Sequence, residues 1–426
     1  MSDYIDNYYA RTVRESRVRP PLASAIDTDV CVIGGGLAGL ATALDLAERG
    51  RRVALLERHR IGWGASGRNG GFVSPGIPGG MPGLVDRVGL TTAREIYALS
   101  RLGHTLLRER IEHYEIDCGA ETGALRCAMA GARGSLEGFC DYMAKNFATE
   151  MEYWPAPRVR DALATVRYSD AFFNPYTFAV HPLNLARGLA RTIEAKGGLV
   201  FEQSSVETLD LRSEQMYVRT AAGSVRADHV VIACGGYVDG LHPALAGATV
   251  PIATFVMVTE PLGERLKRAI RVPYAISDVQ FVTNYYRPLA DGRLLWGGRV
   301  LAWEPRAPRI ATLLKRDMAS FYPGLADARV DVAWGGLMPY LKHRLPVFGQ
   351  IAEGVWYATG FGGLGLALTT TAGRLIAAGI VEGDDRWRIF ASFGLPFAGG
   401  KFGRIPAQLV YWRNALASKL GHGRSP

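Results

Sequence analysis

Asp29-Val-Cys-Val-Ile33 runs straight into Gly34-Gly35-Gly36-Leu37-Ala38-Gly39, and the helix-favouring stretch from Leu40 to Arg49 follows at once. An apolar run, a glycine turn and a helix former read as strand, tight turn and helix. Gly50 stands where a helix end favours a left-handed residue, and Arg52-Val-Ala-Leu-Leu56 makes the next buried strand, closing on Glu57. The whole is one βαβ unit of about thirty residues. Gly34, Gly36 and Gly39 have the G-x-G-x-x-G spacing. The first permits the turn, the second lets a pyrophosphate approach the backbone, and the third lets the helix pack closely. Phosphate oxygens would meet the unpaired amides at the helix start, at Leu37 and Ala38, where the macrodipole also favours negative charge. Glu57, followed by Arg58, ends the second strand 23 residues after Gly34 and is placed to accept hydrogen bonds from a ribose. The unit predicts dinucleotide binding.

The rest of the chain bounds what such a unit serves. Its 426 residues allow two or three packed units, and 48% apolar against 21% charged residues predicts a large core and excludes a disordered chain. Cys31, Cys118, Cys127, Cys140 and Cys234 form no CxxC, and their odd number and wide spacing predict reduced thiols and a cytoplasmic setting. Met1 to Pro20 has no apolar stretch of a secretory signal. The most apolar tract, Ala358 to Val381, holds six glycines, four threonines and Arg374, which argues against a membrane span. The formal charge is +9, from 49 basic and 40 acidic residues, but no block of like charges occurs. A solvated basic surface is therefore expected rather than a nucleic-acid partner. No histidine pair has a metal-ligand spacing, so no metal site is expected.

Beyond the first unit, Gly83 to Arg110, Ser135 to Asn146 and Pro182 to Gly197 carry helical patterns, while Met151 to Pro157 reads as a connection. Short strands are expected at Gly198–Glu202, Val206–Asp210, Met216–Thr220 and Ala227–Ala233, the last ending at Cys234-Gly235-Gly236. Further strands are expected at Ala253–Thr259, Phe281–Arg287 and Arg293–Gly298, with Asp291-Gly292 as the hairpin turn of the last two. Val355–Thr359, a glycine turn and a helix from Thr369 to Glu382 repeat the strand, turn, helix logic.

Gly62-Trp-Gly-Ala-Ser-Gly-Arg-Asn-Gly-Gly71 is a second glycine-rich loop, five residues past Glu57. With His181-Pro-Leu183, Thr259-Glu-Pro-Leu262, Tyr285-Tyr-Arg287, Arg293-Leu-Leu-Trp-Gly-Gly298 and Ala358-Thr-Gly-Phe-Gly362, it makes the chain resemble the FAD-dependent amine and amino-acid oxidoreductases of the D-amino-acid-oxidase superfamily, in particular their gamma-glutamylputrescine oxidoreductase branch. The resemblance covers nearly the whole length, and the 64 to 71 string is its most specific part.

The resemblance implies an α/β fold in which a Rossmann-like FAD-binding domain, 25–85, 175–245 and 332–388, is interleaved with an antiparallel-sheet substrate domain, 86–174 and 246–331. A C-terminal extension, 389–426, follows. It implies noncovalent FAD, because no cysteine lies between Trp334 and Arg344, where some sarcosine oxidases attach the flavin. Gly64, Ala65, Ser66, Arg68, Asn69, Gly70 and Gly71 become expected FAD contacts, Val206 the residue whose backbone meets the adenine, and Cys234-Gly235 the turn beneath the pyrophosphate. Gly360, Gly362, Gly363, Leu364 and Gly365 match the C-terminal flavin loop. Tyr285 is the expected catalytic residue at the substrate, with Tyr286 on the opposite face of its strand, and Trp296 an aromatic wall for a cationic amine. His181, before a proline and a helix, is expected to be structural.

Two departures bear on the substrate. Glycine-oxidase-like relatives hold an α-carboxylate with arginines, where this chain has Met338 and Gly363. Leu364 replaces a histidine frequent in the branch, and Leu295 stands where some oxidases place a lysine that promotes oxygen reduction. The expected activity is oxidation of a primary or secondary amine to an imine by hydride transfer to flavin N5, then hydrolysis, with O2 or another acceptor taking the electrons. Oxidation of an amino acid or N-methyl amino acid is the alternative, its carboxylate held by a different arginine, with Arg287 or Arg299 as first candidates. A basic flavoprotein that binds nucleic acid, its FAD structural, is the rival of another class. Salt-dependent nucleic-acid affinity without amine-driven flavin bleaching would mark it.

Overall fold

The computed structural model describes residues 4–15, 17–131, 135–211, 215–303 and 307–419. The last residues of the expected extension, 420–426, lie outside them.

Ala25–Ile33 forms the centre of the first sheet, whose order is Val347–Ala352, Val355–Thr359, Ser224–Ile232, Ala25–Ile33, Val53–Leu56, Leu199–Phe201. The five strands from Val355–Thr359 to Leu199–Phe201 run parallel. Parallel strands are covered on both faces, and Val30 to Ile33 accordingly read as an unbroken apolar run at 0 to 4% exposure. One cover is the helix Leu37–Glu48, buried from Leu37 to Ala47 because Pro182–Ala195 and Gly365–Glu382 pack outside it. A Cβ on Gly373 would sit 2.6 Å from the backbone of Ala41, so the two helices cross at backbone contact.

The second sheet has the order Val330–Tyr340, Val250–Thr259, Leu294–Leu301, Tyr285–Pro288, Ala275–Asp278, Glu121–Met129, Tyr168–Ala179, Phe72–Val73, with Glu152–Trp154 beside Tyr168–Ala179. It is antiparallel except where Ala275–Asp278 runs beside Glu121–Met129. Its two faces differ in kind. Leu125, Met257, Ile276, Tyr286 and Trp296 share a core with the helix Ala307–Phe321. The opposite face carries a row set by register, in which Trp334 pairs with Val256, Val256 with Gly297, Gly297 with Tyr285, Tyr285 with Ser277, Ser277 with Arg126 and Arg126 with Phe172.

Three expectations shift. Met151–Pro157 is not a plain connection but a strand, Glu152–Trp154, and the start of a helix, Ala156–Ala162, with a proline at its first turn. The helix expected at Gly83–Arg110 runs from Met81 to His113 and kinks at Gly89, whose φ of 77° leaves the helical region. The expected domain divisions cut across hydrogen bonding: Phe72–Val73, the end of Tyr168–Ala179 and Val330–Tyr340 all belong to the second sheet, because they bridge the two halves. Among the described residues, no helix is long and apolar enough to cross a membrane.

The N-terminal segment is tied into both halves. Tyr9 is fully buried and meets Trp334 and His181 edge-on at 5.6 and 4.9 Å. Tyr4 donates to the Ile61 carbonyl at 2.8 Å. Buried Glu202 accepts from the Arg19 amide at 3.0 Å, the Arg60 guanidinium at 2.7 Å and the Ile61 amide at 2.9 Å.

His181 caps the helix Pro182–Ala195: Nδ1 accepts from the Asn184 amide at 3.1 Å, which leaves the proton on Nε2, 3.1 Å from the Thr12 hydroxyl. Burial pushes its pKa down to about 4. A base with a lowered native pKa is protonated more readily when unfolded, so its stabilisation holds above the unfolded value near 6.5 and is lost as pH falls towards 4. His181→Asn, which keeps a capping acceptor, should therefore lose less Tm than the parent between pH 7 and pH 5. The difference should correspond to about 2 kcal/mol. Equal losses in thermal melts would show that the imidazole does not titrate this way.

Candidate functional site

A cavity of about 1110 Å³ lies between the C-terminal edge of the first sheet and the second sheet. Its nucleotide end follows from steric limits. Gly34 adopts φ 111°, and a Cβ there would meet the Ala233 carbonyl at 2.6 Å. Gly39 approaches so closely that a Cβ would lie 1.9 Å from the Gly34 oxygen. The helix start is thereby pressed against the strand end, and helix geometry gives the first-turn amides no carbonyl of their own to bond. Gly36, by contrast, has no backbone near the position a Cβ would take, which meets only the Ser66 side chain, its hydroxyl at 3.0 Å. That leaves the space a pyrophosphate needs.

Ser66 also accepts from the Leu37 amide at 2.9 Å, joining the second glycine loop to the first. Glu57 accepts from the Gly35 amide at 2.7 Å and the His59 amide at 2.8 Å, so it fixes the turn while its remaining lone pairs face the cavity. Burial raises its pKa, and the two amides oppose that. Arg58 pairs with Asp239 at 2.8 Å. Val206, Cys234 and Gly235 line the same end.

The loop expected to touch FAD spends most of its polar atoms on its own shape. Arg68 is 3% exposed and donates to the carbonyls of Trp63 and Gly335 at 2.8 and 3.0 Å and to the Tyr237 hydroxyl at 2.9 Å. Asn69 donates to the Ala65 and Ser66 carbonyls and accepts from the Gly71 amide. Both residues line the cavity as braces that aim the loop, with Gly64, Ala65 and Gly70 beside them.

Opposite the loop, Tyr285 stands against two glycines: a Cβ on Gly70 would be 2.7 Å from its ring and one on Gly297 2.1 Å. Phe72 meets it edge-on at 5.8 Å. Burial raises its pKa while the Thr254 side chain hydrogen-bonds it, so the phenol is protonated. Met338 and the turn Gly362, Gly363, Leu364 and Gly365 complete this end. The helix Gly365–Glu382 begins there, and its first turn offers unbonded amides and the positive end of its dipole.

Four expected site residues lie elsewhere. Trp296 is fully buried, stacked on Tyr286 at 4.4 Å, because register pairs it with Tyr286 and not with Tyr285; it walls the core, not the substrate. Gly39, Gly71 and Gly360 do not line the cavity. They permit backbone contact, with a Cβ on Gly71 falling 2.1 Å from the Val180 carbonyl and one on Gly360 2.8 Å from the Leu345 carbonyl. The alternative arginines are also committed: Arg287 donates to the Val180 carbonyl and pairs with Glu121, and Arg299 pairs with Asp317. Arg126, Tyr237, Phe281 and Tyr340 line the cavity unforeseen, and Arg344 lines it too. For Arg126 the signal was present in the alternation of buried Leu125 and Cys127 around it.

Residues 29–378 match the DAO family, FAD dependent oxidoreductase. The chain is 35% identical to gamma-glutamylputrescine oxidoreductase of Escherichia coli (strain K12), over 95% of this chain and 96% of that one. It is 29% identical to glycine oxidase of Geobacillus kaustophilus (strain HTA426), over 88% of this chain and 98% of that one. Glycine oxidase from Bacillus cereus ATCC 14579 superposes with a TM-score of 0.70 at 22% identity, covering 85% of this chain and 97% of that one. L-proline dehydrogenase from P. horikoshii gives 0.69 at 18%, covering 95% and 100%; these two likenesses speak to the fold.

The two glycines of the first turn should fail in different ways. Gly36→Val adds atoms where the cofactor belongs and meets no backbone, only the Ser66 side chain, so the protein should fold with its parent's circular dichroism and lose bound FAD. Gly39→Val should not fold at all, its side chain colliding with the Gly34 carbonyl. Acid precipitation of the parent should release intact FAD into the supernatant. A folded, yellow Gly36→Val protein would refute the placement of the pyrophosphate.

Proposed function

The chain belongs to the DAO family of FAD dependent oxidoreductases, and from that premise we propose that it oxidises a primary or secondary amine lacking an α-carboxylate. The observation that carries this reading is that Met338, Gly363 and Leu364, none of them a guanidinium, line the same cavity as Tyr285. The resemblance to a gamma-glutamylputrescine oxidoreductase of 35% identity supports it.

Residues that fit FAD are present. The Gly36 space and the Ala38 amide suit its pyrophosphate, the Leu37 amide being held by Ser66, while Glu57 suits its ribose and the Gly362 to Gly365 turn its ring. Bound FAD supplies the acceptor for the hydride that leaves the substrate carbon. The chain's task is then positioning, since a strong base is not required once the amine nitrogen is neutral and its lone pair free. Tyr285, held between Gly70 and Gly297, offers a rigid ring and a protonated hydroxyl on one side of the substrate. Met338, on the Val330–Tyr340 strand, closes another side. The carbon loses a hydride and the nitrogen a proton, the C–N bond becomes an imine, and water hydrolyses it to a carbonyl compound with release of ammonia from a primary amine or of a smaller amine from a secondary one. The acceptor that reoxidises the cofactor is O2 or another oxidant.

An α-carboxylate beside the reacting carbon would have no guanidinium at Met338 or Gly363, and an unpaired buried charge costs several kcal/mol. Amines without it should reduce the flavin with kcat/KM about a hundredfold above matched α-amino acids, for about 3 kcal/mol. Met338→Arg should narrow that gap. Anaerobic stopped-flow absorbance measures both; a parent that prefers the α-amino acid would overturn the reading.

A further inference from the structure

On the substrate face of the second sheet, Arg126 makes no contact ion pair with a described residue, and Asp278 acts on it only through space. Its neighbours on the same strand, Leu125 and Cys127, are fully buried in the opposite core, so alternation turns Arg126 and Ala128 to the cavity. It makes no hydrogen bond or ion pair with any described residue. The nearest carboxylate by charge, Asp278, pairs in register with Cys127 and so belongs to the other face. Asp278 is itself fully buried and accepts from the amides of Gln280 and Asn284 and from the Asn284 side chain at 2.8 Å. Burial works against the charge on Arg126 and lowers its pKa, although the guanidinium stays ionised.

Its surroundings suit an anion on an aliphatic chain. Ser277, its register partner, offers a hydroxyl, and Phe139 and Phe172, stacked at 5.3 Å, make the apolar wall. Tyr285, Ser277 and Arg126 follow one another across three adjacent strands. Strands lie about 4.8 Å apart, so Arg126 starts about 10 Å from Tyr285 at the backbone. Of the cavity's other arginines, Arg58 pairs with Asp239, Arg68 donates to carbonyls of its own loop and of Gly335, and Arg344 is exposed and lies over the Phe281 ring at 4.7 Å.

We propose that Arg126 is a specificity-determining residue that binds a carboxylate carried at the far end of the substrate, several bonds from the carbon that is oxidised. This deepens the amine reading above and rests on it. The substrate class is then an amine with a remote carboxylate: the guanidinium receives the anion through paired N–H donors, and the chain between spans the row from Arg126 to Tyr285.

The test compares ε-aminocaproate with n-hexylamine as reductants of the holoenzyme, and separately titrates hexanoate into it by calorimetry. The parent should favour ε-aminocaproate about thirtyfold in kcat/KM, the size of a charge-assisted hydrogen bond. Arg126→Met should remove that preference and leave n-hexylamine within about twofold of the parent, with FAD content as the check on folding. Hexanoate should bind at least about tenfold more weakly to Arg126→Met, with partial recovery in Arg126→Lys. Equal loss on both amines, unchanged hexanoate binding, or a larger effect from Arg344→Met would overturn the proposal. If neither amine bleaches the flavin while hexanoate binding still depends on Arg126, the amine reading fails and the anion site stands.

Discussion

The oxygen of Gly34 and the missing side chain of Gly39 decide where everything else goes. Only 1.9 Å separates that oxygen from the place a Cβ would occupy, so the helix after the turn begins in contact with the strand before it. That contact brings the first-turn amides to the sheet edge. The same device recurs along the cavity: Gly67 against the Gly62 carbonyl at 2.3 Å, and Gly71 against the Val180 carbonyl at 2.1 Å. Each is a point where backbone replaces side chain and two segments meet at contact distance.

The second sheet separates chemistry from support by parity. Tyr286 and Trp296 stack on one face with the helix behind them, while Tyr285 and Arg126 belong to the other. A one-residue slip would exchange these sets, burying Arg126 and exposing Trp296. Register is therefore part of the site, and the core that fixes it, Tyr286 with Tyr168 and Tyr322 through their hydroxyls, acts on the substrate face without touching it.

The nucleotide end is readable in the sequence because its requirements are local. Gly34, Gly36 and Glu57 act through spacing along a single βαβ unit, and the turn after Val355–Thr359 repeats that logic. Residues whose direction depends on pairing between distant strands are not readable in the same way. Sequence alone puts Trp296 at the substrate although it pairs with Tyr286, since its register against Tyr285–Pro288 is set by the hairpin and not by composition. Arg126 stands between two apolar residues, which marks a face of its strand, but that this face is the cavity's follows only from the pairing with Ser277 and Phe172. Arg68 and Asn69 stand out in the sequence, but their bonds to carbonyls of their own loop and of Gly335 are visible only in three dimensions.

The ties of the N-terminal segment bear on how the chain is made. Tyr4, Tyr9, Arg19 and Leu22 find partners at Ile61, His181, Glu202, Ser204 and Trp334, most of them more than a hundred and fifty residues further on. Residues synthesised early thus wait for residues synthesised late. Loops of that length close slowly, and until Trp334 has emerged the ring of Tyr9 lacks one of its two edge-on partners. This segment leaves the ribosome before its partners and settles after them, and its aromatic side chains remain accessible to chaperones or to other nascent chains throughout that interval.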